Sequence, residues 1–383
     1  MNVLMVLNRY YPMIGGAENQ CRILMNQLAS GSKINVIGVA THRYSKRLNA
    51  VDKLDDIGIY RLGLPGVGKI ATLSFYLSLF TFLLKNKNKI DIVHVHTISL
   101  TSFFCVLFTT LFGKKTLQKL TIAGEIESLI SRKGIKGYIV KNMIKFSISK
   151  GNVVVLTDEG VKEIRRYSNK ENYYKINNGI DCSVFHQKEN TIKLRKKYGL
   201  KKDRIYLGFV GRLTDVKGIL ELCKVVLDFN RQNDNLKEIY LTIMGSGDLQ
   251  VGNVQDKIDE IAQNSKYVSL FAPQHQPVDF YNAIDFYVSN SKKEGLPNTV
   301  LEALACGKRL ILSDIPPHVE IRDSNPEHSF IKIYKSIDEL NFILNDILQD
   351  AKWQYISDKS LCIDERFHID KVSNQYEELY QTL

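Results

Sequence analysis

Proline is scarce in this 383-residue chain, with 8 in all, while hydrophobic residues make up 44%. That balance excludes a disordered or low-complexity polymer and calls for compact globular structure. The six cysteines, Cys21, Cys105, Cys182, Cys223, Cys306 and Cys362, are scattered and form no C-x-x-C pair. Neither a zinc site nor a disulfide framework is implied. Several lie in apolar runs, where a thiol packs as a small hydrophobe, and a reduced, cytosolic setting is expected. No D-x-D sequence is present to hold a divalent metal on a diphosphate, and no H-E-x-x-H or catalytic-triad spacing occurs. A dinucleotide fingerprint is missing too: Gly15-Gly16 lacks the G-x-G-x-x-G spacing, and Gly245-Ser246-Gly247 has Gln250 where the third glycine belongs. No basic n-region or cleavage site precedes the first strand, so no signal peptide is expected. The apolar stretches 70–84 and 99–112 are shorter than the roughly 20 residues a spanning helix needs. They are expected as buried helices, with membrane-surface contact as the second reading.

Positive charge is what the chain has in excess, at a formal +11. Part of it is local. Between Lys114 and Lys150 nine Lys/Arg face two Glu, a balance of 9 − 2 = +7. A solvated face is one reading; attraction to an anionic membrane surface or a pyrophosphate-bearing substrate is the sharper one. Nucleic acid is not expected, because no recognised binding module appears.

Strand and helix patterns alternate almost throughout, which implies α/β architecture with parallel sheets. In the first half strands are expected at Asn2–Asn8, Ile34–Ala40, Ile59–Leu62, Ile90–His96, Thr116–Ile122 and Asn152–Thr157. The Asn-Gly turn within Asn177-Asn178-Gly179-Ile180-Asp181 marks a break, and polar sequence continues to Asp203. A second series follows, with strands at 204–210, 239–244, 268–271, 286–289, 309–313 and 330–333. Each half therefore reads as a doubly wound unit that binds ligands at the carboxyl ends of its strands.

The densest chemistry lies in Lys293-Glu294-Gly295-Leu296-Pro297-Asn298-Thr299-Val300-Leu301-Glu302-Ala303-Leu304-Ala305-Cys306-Gly307. Pro297 can open a helix at its first turn, and Gly307 can close it in the left-handed region. First-turn amides have no intrahelical acceptor, so Leu296 to Val300 would form an anion site. Two carboxylates eight positions apart, Glu294 and Glu302, flank it. Phosphate-binding amides between two carboxylates suit a diphosphate between two hydroxyl-rich sugars, which is a nucleotide-sugar. Gly211-Arg212-Leu213-Thr214-Asp215-Val216-Lys217-Gly218 ends the first strand of the second half. Arg212 and Lys217 would neutralise a leaving diphosphate in place of a metal. Strand-end glycines at Gly15-Gly16, Gly211 and Gly245 let backbone approach a ligand. His94 and His96 share a strand face, and His96, at the carboxyl end, is a candidate for the crevice.

Taken in order, these motifs resemble glycosyltransferase family 4, a group of retaining GT-B enzymes. They are Gly15-Gly16-Ala17-Glu18, Asp91-Ile92-Val93-His94-Val95-His96, Asn178-Gly179-Ile180-Asp181, Gly211-Arg212-Leu213 with Lys217-Gly218, and Glu294 through Gly307. The resemblance implies two Rossmann-like domains facing each other across a cleft. Residues 1–176 would form the acceptor side, with 366–383 packing back on it, and 177–365 would bind the donor. It implies that Arg212, Lys217 and Glu294 serve catalysis, with Glu294 on the transferred sugar. Leu296, Pro297, Asn298 and Thr299 would lie along the diphosphate and Glu302 would hold the ribose hydroxyls. Many members carry a histidine after the fifth strand. Here that region reads Lys119-Leu120-Thr121-Ile122-Ala123-Gly124-Glu125, so Thr121 and Glu125 join His96 as acceptor-side candidates, with a plain loop as the alternative. Leu270-Phe271-Ala272 replaces the usual Phe-Leu-Gly beside the base, which leaves the base open.

The expected function is transfer of a sugar, with retention, from a nucleoside diphosphate sugar to a saccharide acceptor. A UDP-sugar and a polyprenyl-diphosphate-linked acceptor are favoured, in surface polysaccharide assembly at the inner face of a membrane. No metal and no further cofactor are expected. A sugar-nucleotide epimerase and a non-catalytic nucleotide-sugar-binding subunit are the alternatives.

Overall fold

The computed structural model describes residues 1–13, 15–31, 33–232, 237–247, 254–325, 328–349 and 363–383. Asp248, Gln250 and Cys362 lie outside the described residues. The chain divides into two compact units, Met1–Gly179 with Ile369–Leu383, and Ile180–His368.

The first unit contains strands β1 (Asn2–Leu7), β2 (Asn35–His42), β3 (Val51–Leu54), β4 (Ile57–Leu62), β5 (Ile92–Val95), β6 (Lys115–Leu120), β7 (Asn152–Val155) and β8 (Tyr173–Lys175). Its helices are α1 (Gly16–Gly31), α2 (Lys69–Lys85), α3 (Leu100–Leu111), α4 (Glu125–Ile130), α5 (Gly134–Lys150) and α6 (Asp158–Tyr167). The sheet order is β3-β4-β2-β1-β5-β6-β7-β8, parallel except for β3. Period-2 alternation divides β1 between two cores. Val3, Met5 and Leu7 join Cys21, Leu24 and Leu28 of α1, while Leu4 and Val6 join Phe75, Leu79 and Leu83 of α2. Buried on both faces, the central strands read as unbroken apolar runs, as parallel strands under two helical layers must.

The second unit contains α7 (Thr191–Lys197), β9 (Ile205–Val210), α8 (Ile219–Gln232), β10 (Ile239–Met244), α9 (Gln255–Asn264), β11 (Val268–Phe271) and α10 (Val278–Ala283). It continues with β12 (Phe286–Ser289), α11 (Asn298–Ala305), β13 (Arg309–Ser313), α12 (Pro316–Ser324), β14 (Ile331–Tyr334) and α13 (Ile337–Gln349). All six strands are parallel, in the order β11-β10-β9-β12-β13-β14. This is the 3-2-1-4-5-6 winding of a Rossmann sheet, whose crossover direction reverses between β9 and β12. The doubly wound reading of both halves holds.

Two strands escape the sequence pattern. β3 is a short, polar edge strand, antiparallel to β4 through a two-residue turn at Asp55-Asp56. Both aspartates have positive φ, 50° and 65°, the backbone of a primed hairpin turn normally supplied by Asn-Gly. Asp55 is held there by Arg22 Nε at 2.6 Å and Asn26 Nδ2 at 3.0 Å. β8 is three residues long, too short to show a period.

The final helix, α14 (Ile369–Thr382), belongs to the first unit. Val372, Tyr376, Leu379 and Tyr380 complete the core around α1. Gly179 is clasped by Gln20, which donates to its carbonyl at 2.9 Å and accepts from its N–H at 3.0 Å. Beneath this helix His94 bonds the Tyr380 hydroxyl through Nδ1 at 2.6 Å and stacks on His96 with centroids 4.2 Å apart. Tyr380→Phe leaves Nδ1 of this buried ring unpaired, so a loss of about 1–3 kcal/mol is expected. A melting temperature lowered by a few degrees in a thermal scan is the check; an unchanged midpoint refutes the bond's contribution.

Candidate functional site

The crossover direction reverses between β9 and β12, and in doubly wound sheets ligands bind at the carboxyl ends of strands at such a point. Lys217 comes from the loop after β9 and Glu294 from the loop after β12. The Lys217 ammonium donates to Glu294 Oε1, and the Ser291 hydroxyl donates to the same oxygen at 2.6 Å. Their side chains are only 20% and 12% exposed, so the pair is poorly screened by solvent. Backbone lacing fixes the two loops: Asn290 Nδ2 donates to the Gly218 carbonyl at 2.9 Å, and Lys292 N–H to the Val216 carbonyl at 2.8 Å. Gly218 has φ +61°, and a Cβ there would lie 2.2 Å from the Asn290 carbonyl oxygen. No other residue fits. Arg212 stands exposed on the same loop. Gly211 and Gly245 close the neighbouring strand ends, since a Cβ on Gly245 would sit 1.9 Å from the Gly211 oxygen.

α11 starts one residue later than its proline suggests. Pro297 occupies the N-cap, not the first turn, and its carbonyl accepts from Val300 and Leu301 N–H at 3.2 and 3.3 Å. The Pro297 ring itself offers no side-chain cap. Leu296 and Pro297 are buried, Asn298 and Thr299 half-buried, and Tyr287 donates to Thr299 Oγ1 at 2.8 Å. Gly307, at φ +66°, closes the helix as expected. Just over one turn in, Glu302 is buried and accepts from the Tyr281 hydroxyl at 2.8 Å. Burial raises its pKa to about 7 against the opposing effect of that bond. A carboxyl balanced between its two protonation states responds strongly to hydroxyl donors, which favour the charged form.

The first-unit candidates form a separate group. Gly15 and Gly16 open α1, and the Gly15 carbonyl accepts from Asn19 N–H at 3.0 Å. Glu125 is half-buried and accepts from Thr121 Oγ1 at 3.1 Å, Thr121 N–H at 3.3 Å and Thr97 Oγ1 at 3.2 Å. Burial raises its pKa, while these bonds oppose the shift. The amides of Gly124, Ile126 and Glu127 are already taken by the Glu163 carboxylate. His96 is 2% exposed, packed on His94 and near Met5 Sδ at 3.5 Å, so its ring sits in the core and not at an open strand end. Lys119 also departs from expectation. It leaves the basic surface run and lies buried over the Tyr376 ring at 5.8 Å, where burial lowers its pKa to about 8.

Sequence reasoning passed over Tyr281, Ser291 and His318. The last is fully buried in the first turn of α12, with Nδ1 2.8 Å from the Ser313 carbonyl. Its available signal was position, a histidine just past a strand end behind Pro316-Pro317. Among the described residues no cluster of three or more His, Cys, Asp or Glu has the makings of a metal site.

Glu302 gives a pH-dependent expectation. Because the folded chain holds its proton more tightly than the unfolded chain, stability falls as pH rises from 4.5 to about 7. Glu302→Gln removes that slope. Thermal melts between pH 5 and pH 8 should show the wild type losing ground to the variant, by a few kcal/mol at most; parallel curves refute the assignment.

Residues 190–359 match the family model described as glycosyl transferases group 1. The capsular polysaccharide biosynthesis glycosyltransferase CapM of Staphylococcus aureus is 30% identical over 193 residues, covering 48% of this chain and 49% of CapM. The chain spans between 32% and 55% of the length of the first curated relatives it matches. Sucrose-phosphate synthase from Thermosynechococcus elongatus superposes with a TM-score of 0.80 at 17% identity, over 100% of this chain and 99% of that one. Anabaena HepE, solved with UDP and glucose, superposes with a TM-score of 0.75 at 15% identity over 100% and 99%. The likeness to the glycosyl transferases group 1 is thus carried by residues 190–359, in a chain that has the GT-B fold.

Proposed function

We propose that the chain is a glycosyltransferase of family 4 that moves a sugar, with retention, from a nucleoside diphosphate sugar to a saccharide acceptor in polysaccharide assembly. The observation that carries this is the Lys217–Glu294 pair at the sheet's reversal point, beside the start of α11 and a buried carboxyl on that helix. These groups match the parts of such a donor. Arg212 and Lys217 take the diphosphate with the start of α11, at Leu296, Pro297, Asn298 and Thr299. Gly211 and Gly245 let the backbone approach. Glu302 accepts from the ribose and Glu294 from the sugar. The presence of UDP and glucose in HepE supports UDP as the nucleotide.

In this reading the acceptor hydroxyl oxygen bonds to the anomeric carbon on the face from which the diphosphate leaves. The anomeric C–O bond breaks toward the β-phosphate, and the acceptor proton passes to the departing phosphate oxygen. The protein supplies positioning and fixed positive charge, with no metal required. Thr121 and Glu125 of the first unit are the acceptor-side groups.

The start of α5 supports an acceptor held at an anionic membrane. Exposed Ile135, Tyr138 and Ile139 are interleaved there with exposed Arg132, Lys133 and Lys136. Apolar insertion with basic flanks is how an interfacial helix binds anionic lipid. No helix among the described residues is long and apolar enough to cross a membrane.

Two experiments test the proposal. Incubation with UDP-sugars and a polyprenyl-diphosphate-linked saccharide should give a glycosylated lipid, and Lys217→Ala or Arg212→Ala should lower the rate by about 10²–10³; variants as fast as wild type refute the mechanism. Conversion of donor without acceptor would instead favour an epimerase. Sedimentation with vesicles containing anionic lipid should show Ile135→Ser with Ile139→Ser weakening binding about tenfold; equal binding refutes the membrane face.

A further inference from the structure

α12 begins unlike α11. Its first two residues are Pro316 and Pro317, which have no N–H, and the next amide, of His318, donates to the Ile315 carbonyl at 3.0 Å. This helix start therefore has no amides for an anion. What it brings to the end of β13 is an imidazole. His318 is fully buried, and its Nδ1 lies 2.8 Å from the Ser313 carbonyl oxygen. A carbonyl only accepts, so Nδ1 carries the proton and Nε2 is left with its lone pair. Nε2 is buried and has no hydrogen-bond partner among the described residues.

The protonated edge of the ring is tied toward the ion pair. Ser313 Oγ donates to the Ser291 carbonyl at 2.7 Å, and Ser291 Oγ donates to Glu294 at 2.6 Å. The imidazole is thus joined through Ser313 and Ser291 to the Lys217–Glu294 pair, and it feels the charge of both. Burial holds its pKa down to about 4, so the ring is neutral at neutral pH. A neutral acceptor cannot bond a phosphate oxygen, which offers no proton. It can bond a hydroxyl.

We propose that His318 Nε2 accepts a hydrogen bond from one hydroxyl of the donor sugar, making His318 a specificity-determining residue that works beside Glu294. The inference rests on the donor reading above and extends it. The sugar portion meets two acceptors, the Glu294 carboxylate and the His318 ring, whereas the diphosphate meets cations and amides. A buried acceptor left unpaired penalises a donor whose hydroxyl is missing or points elsewhere.

The test uses titration calorimetry with UDP, UDP-glucose, UDP-galactose and UDP-N-acetylglucosamine on the full chain. The quantity read is the ratio of UDP-sugar to UDP affinity. His318→Asn keeps an N–H for the Ser313 carbonyl and removes the Nε2 acceptor; His318→Gln keeps a polar atom near Nε2. For the best-bound UDP-sugar, His318→Asn should lower the ratio about 3–10-fold, with partial recovery in His318→Gln. Among monodeoxy analogues of that sugar, one should bind wild type more weakly by a similar factor and lose nothing further in His318→Asn. An unchanged ratio in a variant that melts like wild type overturns the inference. So does a full set of deoxy penalties that is the same in both proteins, or, if neither variant folds, a wild type indifferent to every deoxygenation. Failure of the wild type to bind UDP or any UDP-sugar would instead remove the donor reading, and this inference with it.

Discussion

The bond between Lys217 and Glu294 joins loops from two strands that lie side by side but feed crossovers in opposite directions. Doubly wound sheets spread their loops at such a point, and without a tie the two chains would have little reason to hold one geometry. Here the tie is an ion pair at least four-fifths withdrawn from water, backed by the Asn290 and Lys292 hydrogen bonds and a glycine with no room for a side chain. A pair in that setting is costly to break from one side, because the remaining charge stays buried. The same two groups are those a diphosphate-linked sugar would engage. A ligand arriving there exchanges one set of charge contacts for another and does not need to desolvate a bare ion.

Unit two also carries the clearest kinship. The matched residues 190–359 lie wholly within Ile180–His368. Its site candidates fall into two chemical kinds, the cations Arg212 and Lys217 and the proton acceptors Glu294, Glu302 and His318, and the two kinds meet in the Lys217–Glu294 pair. Tyr281 and Ser313 each hold an acceptor in place from behind. The first unit is more individual. The segment after β6 holds a Thr121–Glu125 pair, and His94 and His96 are packed into the core.

Much of this was legible in the chain itself. Every expected strand of the second half exists, because buried parallel strands announce themselves as short apolar runs between turn residues. Lys217 and Glu294 were readable as strand-end charges. That they contact each other was not, since the contact spans 77 residues and depends on sheet order. The β3–β4 hairpin was hidden because Asp55-Asp56 adopts a conformation usually reserved for Asn-Gly, with Arg22 and Asn26 supplying the support. His96 followed the alternation rule, yet alternation fixes a face and does not say what covers it. Lys119 was counted with the surface because lysines normally are; an aromatic ring from the far end of the sequence covers it instead. His318 was missed because nothing in its neighbours' identities marks a buried lone pair.

The last helix has a consequence for how the chain is made. Val372, Tyr376, Leu379 and Tyr380 finish a core that begins with Val3, so the first unit is interrupted by the whole of the second. On a ribosome, unit two is complete before α14 emerges, while the apolar stripe of α1 waits uncovered. Order of synthesis and order of folding are therefore reversed: the inserted unit closes first, and the one that opens the chain closes last.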